Sequence, residues 1–262
     1  MRPPRLTVPL DPRDFRLQVE PIAVTAADGV RLAAWLVPRP GAPVVVLLHG
    51  YPAEKRDLLP LGAALAPRFS VVLADLRYFG ESGGHVTTLG FRERGDLRRL
   101  LDHLEARGLG PVGVLGFSLG GAVALLAAGV DARIRAVAAY APFADLEALA
   151  RDLYAHYWVL RAPLVALMRL WARVFLGTDL TRPSPAEAAA RLTIPVLLIH
   201  SRGDEQIPFH HGERLQRALA GNAAAEFEFL REGRHGELDA PLEQRLAVFF
   251  LRALKESIPR GR

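Results

Sequence analysis

Cysteine is absent from this chain of 262 residues. Its absence excludes disulfide bonds, a catalytic thiolate and any metal site that depends on cysteine ligands. Lysine is nearly absent as well, since only Lys55 and Lys255 occur, and the arginines that supply the rest of the positive charge are spread among acids. The net charge of +5 therefore forms no basic tract. A phosphate footprint would be a clustered stripe of positive charge, so the composition predicts no nucleic-acid partner.

A long uninterrupted apolar run is also missing. The most apolar extended stretch, residues 157–177, is broken by Arg161, Arg169 and Arg173 and by Pro163, which makes it too charged for a membrane-spanning helix. The N-terminal sequence MRPPRLTVPLDPRDF has no apolar segment after its arginines and does not resemble a signal peptide. Together these absences predict a cytoplasmic protein.

The hydrophobic pattern predicts an α/β domain. Half of the residues are hydrophobic, enough for one large core. Two strand-like runs, residues 19–26 and 30–37, flank Asp28-Gly29 and predict an antiparallel hairpin. Further strand-like runs, at residues 44–49, 70–75, 111–116, 135–142, 194–201 and 225–230, alternate with helical stretches. This alternation predicts a mostly parallel sheet with helices on both faces.

The alternation is interrupted between Pro142 and Pro195. About fifty helical residues there are too many for an ordinary connection. We therefore expect a core domain made of residues 1–141 and 191–262, with residues 142–190 inserted as a helical cap after the sixth strand.

Two segments match the pattern Gly-x-Ser-x-Gly, one centred on Ser118 in GFSLGG and one on Ser82 in GESGG. A nucleophilic serine on a sharp strand-to-helix turn needs glycines two residues away on each side, because larger side chains would collide with the strand and helix. Ser118 has this context, with the strand VGVLG before it and an apolar helix after it. Ser82 lies seven residues beyond its strand and no helix follows. The context favours Ser118 as the nucleophile and Ser82 as part of a loop.

A serine hydroxyl needs a base and a group that orients the base. His235 follows a strand and precedes the last helix, which places it at the carboxyl edge of the sheet, where catalytic groups gather. Asp204 follows the strand IPVLLIH and lies between serine and histidine in the chain. The alternative acids are Asp145, which could instead cap a helix, and Glu205. The remaining candidate bases have weaker placements: His85 and His200 near the sheet edge, His103, His210 and His211 on helices, and His156 in the cap.

Two backbone N–H groups are expected to form an oxyanion hole. Leu119 supplies one at the start of the helix after the nucleophile. Tyr51 supplies the other, because Gly50 lets the loop after VVVLLH approach the substrate. His49 then supports this loop and does not act as a second base.

These segments together resemble the α/β-hydrolase superfamily over nearly the whole chain. The resemblance is carried by His49-Gly50, DLRYFGESGG, GFSLGG, RGDEQIP and RHGE, in that order. It implies an eight-stranded, mostly parallel sheet with a helical cap and a triad of Ser118, Asp204 and His235, and it is closest to esterases, lysophospholipases and serine-aminopeptidase-like members. Tyr78 stands where relatives commonly have glycine, which makes that loop bulkier. Serine at position 118 argues against a haloalkane dehalogenase, which uses aspartate there.

The expected reaction is hydrolysis of small to medium hydrophobic carboxylic esters through an acyl-enzyme, without a metal or organic cofactor. Tyr51 and four cap residues, Tyr154, Trp158, Met168 and Trp171, are the candidate substrate contacts. The expected partner is a small-molecule ester bound by a monomer or homodimer, and the apolar, arginine-bearing cap could also contact a membrane surface. The alternatives are a peptidase, thioesterase or lysophospholipase with the same triad, and a noncatalytic binding protein.

Overall fold

The computed structural model describes residues 2–5, 8–177 and 179–255, apart from the side chains of Trp158 and Arg161. Eight strands in these ranges form one sheet in the order β1-β2-β4-β3-β5-β6-β7-β8. Their bounds are Glu20–Thr25 (β1), Arg31–Val37 (β2), Val44–Leu48 (β3), Ser70–Ala74 (β4), Val112–Phe117 (β5), Ile134–Tyr140 (β6), Val196–Ser201 (β7) and Ala225–Leu230 (β8). The pairs β1–β2 and β2–β4 are antiparallel and the other pairs are parallel. The expected mostly parallel, eight-stranded sheet is confirmed.

Helices connect most of these strands. The α-helices of the described residues are Leu59–Leu65 (α1), Glu93–Ala106 (α2), Leu119–Ala128 (α3), Leu146–Leu153 (α4), Arg161–Leu176 (α5), Pro185–Ala189 (α6), His210–Ala218 (α7) and Ala240–Lys255 (α8). Short 3₁₀ helices span Pro12–Phe15, Lys55–Leu58 and Ala155–Leu160. None of the helices in the described ranges combines the length and the apolar character that a membrane span requires.

The sheet is buried on both faces. All five residues of β3 and all five of β4 are buried, as expected for central parallel strands covered by helices. Alternate residues of β3 face opposite sides: Val46 packs with leucines of α2 and with α3, whereas Leu47 packs with α1 and α8. Helices therefore cover both faces of the sheet.

The segment between β6 and β7 contains α4, α5 and α6. Leu146 and Leu149 of α4 join the core under the sheet, and Ala189 of α6 is fully buried. In α5, Val165 and Ala172 face inward while the opposite side exposes large apolar residues: Leu167, Leu170, Trp171, Val174 and Phe175. Both ends of the segment thus pack on the body of the protein. That residues 142–190 form a separate cap domain stays a prediction.

The parallel strands all point their carboxyl ends at one edge of the sheet. The loops after β3, β5, β7 and β8 begin at this edge, and they carry Tyr51, Ser118, Asp204 and His235, respectively. Open parallel sheets bind ligands at this edge, so the topology positions the candidate site.

Candidate active site

Ser118 lies on a strained turn between β5 and α3. Its backbone angles are φ 50° and ψ −112°, a conformation that costs of order 1–3 kcal/mol for a residue with a side chain. The turn is fixed by neighbouring backbone, because the Ser118 N–H donates to the Tyr140 carbonyl and the Ser118 carbonyl accepts from Ala122. The side chain of Ser118 is thereby held where β5 ends.

Glycines around Ser118 are required by close backbone contacts. A Cβ atom at Gly116 would lie 2.1 Å from the carbonyl oxygen of Gly120, and a Cβ at Gly120 would lie 2.3 Å from the carbonyl oxygen of Leu48. These distances are far inside van der Waals contact. The sequence argument that bulkier residues would collide with the strand and helix therefore has a specific structural basis at both positions.

Asp204 and His235 are hydrogen-bonded to each other. Nδ1 of His235 is 2.7 Å from Oδ2 of Asp204, and the other carboxylate oxygen of Asp204 accepts the N–H groups of Gln206 and Ile207 at 2.9 and 2.8 Å. Burial opposes ionisation of Asp204, but these hydrogen bonds outweigh it and lower the pKa of the carboxyl. An ionised Asp204 accepts a hydrogen bond from the Nδ1–H of His235, and in this tautomer Nε2 carries the lone pair of the neutral ring.

The His235 loop packs beside the serine turn. The rings of His235 and Phe117, the residue before Ser118, have centroids 4.9 Å apart. A Cβ atom at Gly236 would lie 2.5 Å from the Phe117 ring, so glycine is needed for this approach. The loops that carry His235 and Asp204 are also joined, because Ser201 Oγ donates to the Gly233 carbonyl at 2.7 Å. The structure thus brings the three candidate catalytic segments together.

The predicted oxyanion donors are the backbone N–H groups of Tyr51 and Leu119. Across residues 2–5, 8–177 and 179–255, no hydrogen-bond acceptor is found for the N–H of Tyr51 or of Leu119. The Tyr51 loop runs next to the nucleophile, since a Cβ at Gly50 would lie 3.2 Å from Cβ of Ser118. Both N–H groups are therefore available to an oxyanion.

The competing serine and two of the competing histidines are engaged in structural hydrogen bonds. Ser82 Oγ donates to the Asp75 carbonyl and accepts the Ala33 N–H. His49 is buried, with Nδ1 2.7 Å from the Gly50 carbonyl and Nε2 accepting the Leu76 N–H. Burial lowers the pKa of His49. Nε2 of His200 lies 2.8 Å from the Ile207 carbonyl.

A cavity of about 370 Å³ opens at Ser118 and Leu119. Three of the predicted substrate contacts, Tyr51, Tyr154 and Met168, line it. Trp171 does not: the residue is 41% exposed and its ring packs against Phe175. The side chain of Trp158 lies outside the described part of the chain.

The cavity has lining residues that the sequence analysis did not identify. They are the apolar residues Leu89, Phe143, Leu146, Leu149 and Leu153, and the polar residues Glu205 and Gln206. Leu146, Leu149 and Leu153 recur at helical spacing after the Asp145 cap, whose side chain accepts the Ala148 N–H. That spacing was the available signal for a helix with an apolar face over the site.

Asp152, His210 and His211 lie close enough to hold a metal ion. However, Nδ1 of His211 accepts the Ala144 N–H at 3.1 Å, so the ring proton is on Nε2, the atom that faces Asp152 at 3.0 Å. A protonated nitrogen cannot ligate a metal. The three residues therefore fit a hydrogen-bonded link between α4 and α7 better than a metal site.

His211 is expected to make folding stability depend on pH. Burial lowers its pKa from 6.5 to about 4, so the unfolded chain takes up a proton at a pH where the folded protein does not. The stability contributed is fully present above pH 6.5 and is lost as the pH falls toward about 4, by roughly 2–3 kcal/mol. Urea unfolding between pH 7.5 and 4.5 measures this loss.

The matched variants are His211→Gln and His210→Gln. The first is expected to flatten the pH dependence. The second removes the charge repulsion that His210 adds to the lowered pKa of His211 and should reduce the dependence only in part, because burial is the larger cause. Equal slopes in wild type and His211→Gln would contradict the assignment.

Comparisons with known proteins agree with this architecture. A family model described as alpha/beta hydrolase fold matches residues 43–156. The uncharacterized protein YqkD of Bacillus subtilis is 34% identical over 163 residues, which cover 60% of this chain and 53% of YqkD. The match spans about half of the length of YqkD and about two thirds of the length of the uncharacterized protein YfhR of Escherichia coli O157:H7.

Solved structures share the fold at low sequence identity. The Pyrococcus furiosus esterase Pf2001 superposes with a TM-score of 0.81 at 21% identity, covering 97% of this chain and 100% of the esterase. The Pyrococcus horikoshii acylaminoacyl peptidase gives 0.69 at 19% identity, covering 94% of this chain and 43% of the peptidase. Its eight-stranded sheet, its serine turn and the matching family model show that this chain has the α/β-hydrolase fold.

Proposed function

We propose that this chain is a serine hydrolase that cleaves carboxylic esters through an acyl-enzyme, with Ser118 as nucleophile, His235 as base and Asp204 as the residue that orients the base. The observation that carries the proposal is the 2.7 Å contact between His235 and Asp204 beside the strained turn at Ser118. Esterase and peptidase structures with the same fold support hydrolase activity in general.

Acylation begins when Ser118 Oγ attacks the ester carbonyl carbon and Nε2 of His235 takes the hydroxyl proton. The negative oxygen of the tetrahedral intermediate accepts the N–H groups of Tyr51 and Leu119, each worth about 3 kcal/mol in rate. When the intermediate collapses, the bond to the alcohol oxygen breaks and His235 returns the proton to the departing alcohol.

Deacylation repeats these steps with water as the nucleophile. His235 removes a proton from water, the resulting hydroxide attacks the acyl carbon, and the proton passes to Ser118 Oγ as the acid leaves. Asp204 stays ionised throughout and stabilises the imidazolium that forms twice per turnover. Its lowered pKa is consistent with this role.

The cavity beside Ser118 favours an apolar acyl group. Its walls are mostly leucine, with Phe143 and Met168, and its volume of about 370 Å³ lies at the small end of the usual range for ligand pockets. Small to medium acyl chains should fit.

Filling the cavity is expected to shorten the preferred acyl chain. Ala150 lines the cavity and is buried, so Ala150→Leu places three more carbon atoms in this region. We expect kcat/KM for p-nitrophenyl acetate to stay within about threefold and kcat/KM for the longest accepted ester to fall at least tenfold. Ala148→Leu, on the same helix but outside the lining, is the control. A parallel loss on all chain lengths would show general damage instead.

The deciding experiment is hydrolysis of p-nitrophenyl esters from acetate to palmitate, run beside acyl-CoA and aminoacyl anilide substrates. The proposal expects esters to be cleaved fastest. The peptidase neighbour favours amide cleavage as the second candidate, and faster release of anilides would select it. A fluorophosphonate probe should label the folded protein at Ser118. No turnover and no labelling would point to a noncatalytic binding protein.

A further inference from the structure

The cavity beside Ser118 contains one residue with an acidic side chain, Glu205. The lining includes no lysine, arginine or histidine among the described residues. Burial raises the pKa of Tyr51, so this phenol stays neutral. Glu205 is therefore the charged side chain in the described lining of the cavity.

Glu205 is held in place by the loop that carries the base. Its Oε2 atom accepts the backbone N–H of His235 at 3.1 Å. Hydrogen bonds from its own N–H and from the N–H of His235 lower the pKa of Glu205. The group is consequently ionised at neutral pH and fixed on the His235 side of the cavity.

This location corresponds to the leaving-group side of the proposed reaction. His235 must hand its proton to the departing alcohol, so the alcohol lies next to His235 in the tetrahedral intermediate. The acyl chain then extends along the apolar part of the lining, which includes Leu146, Leu149 and Met168. The carboxylate and the apolar wall thus contact different halves of the substrate.

We infer that the enzyme selects esters of an apolar acid with a cationic alcohol, such as an amino alcohol, because Glu205 attracts the positive charge of the leaving group. This inference rests on the proposed function for the orientation of the substrate. Water cleaves the ester bond, and the products are the apolar acid and the cationic alcohol.

Two isosteric esters isolate the charge. Butyrylcholine and 3,3-dimethylbutyl butyrate have the same heavy-atom skeleton and differ in one positive charge. In Glu205→Gln, which keeps an oxygen for the His235 N–H, the cationic-to-neutral ratio of kcat/KM should fall about fivefold. Glu232→Gln makes the same change in net charge in the nearby loop outside the cavity lining, and its ratio should change less than twofold. Added salt should lower the wild-type ratio by screening.

A purely structural role for Glu205 would lower kcat/KM equally for both esters, and an unchanged ratio would overturn the inference. Binding without turnover separates this inference from the proposed function. In the Ser118→Ala protein, NMR titration should show tighter binding of butyrylcholine than of its neutral isostere, and Ser118→Ala/Glu205→Gln should lose the difference. Charge-dependent binding without hydrolysis by the wild type would contradict only the proposed function. Hydrolysis without charge selectivity would contradict only the inferred preference for a cationic alcohol.

Discussion

Replacing Ser118 with alanine is expected to lower kcat/KM for p-nitrophenyl esters by at least about 10⁴-fold. The variant loses the atom that attacks the carbonyl, while the oxyanion donors at Tyr51 and Leu119 and the Asp204–His235 pair remain. Folding should be preserved, because alanine keeps the Cβ atom and the Ser118 backbone hydrogen bonds do not involve the hydroxyl. The loss is measured from initial rates across the series of acyl chains, and circular dichroism confirms that the variant is folded.

Ser82→Ala is the matched control, since both serines lie in Gly-x-Ser-x-Gly segments. Its activity per folded molecule should stay near wild type. Its stability should fall by about 1–3 kcal/mol, because the buried Ala33 N–H loses its acceptor. Activity that survives in Ser118→Ala would refute the assigned nucleophile.

Gly120→Ala is expected to destabilise the protein by more than about 4 kcal/mol or to prevent folding. The added Cβ would lie 2.3 Å from the Leu48 carbonyl oxygen and 2.7 Å from that of His49. Neither carbonyl can move away easily, because Leu48 ends β3, a central strand of the sheet, and His49 follows it directly. Any protein that folds by shifting α3 would displace the Ser118 turn and lose activity as well.

Gly95→Ala provides the contrast. Gly95 lies in α2 and an added Cβ would meet no atom within 4 Å, so alanine should stabilise the helix by about 0.5–1 kcal/mol. Urea unfolding of both variants gives the comparison. A Gly120→Ala protein as stable as Gly95→Ala would contradict the close approach of α3 to the Leu48 carbonyl.

The sheet could be predicted from the sequence because each strand has a simple local signal. β3 and β4 are short continuous apolar runs, and the hairpin between β1 and β2 turns at Gly29, whose φ is 79°. Strand order could not be obtained this way. It depends on how helices pack on the two faces, and sequence spacing does not encode that packing.

The candidate catalytic residues were predictable for a related reason. Ser118, Asp204 and His235 each follow a strand of a parallel sheet, so chain order alone places them at one edge. The residues that line the cavity were harder to predict. Trp171 belongs to an amphipathic helix, but whether its ring turns toward the cavity or toward solvent depends on how α5 docks on α4. The sequence suggested Glu205 only as a weaker alternative to Asp204 for the catalytic acid. Its place in the cavity lining is visible only in the three-dimensional structure.

The contacts among Gly116, Gly120 and Leu48 make the geometry of Ser118 a property of the assembled protein. The strained turn exists only when β3, β5 and α3 have come together, so an unfolded chain presents an ordinary, unreactive serine. A fluorophosphonate that labels Ser118 would then count native molecules selectively. Labelling yield during refolding could follow the formation of the central sheet in real time, without an added dye or a mutation.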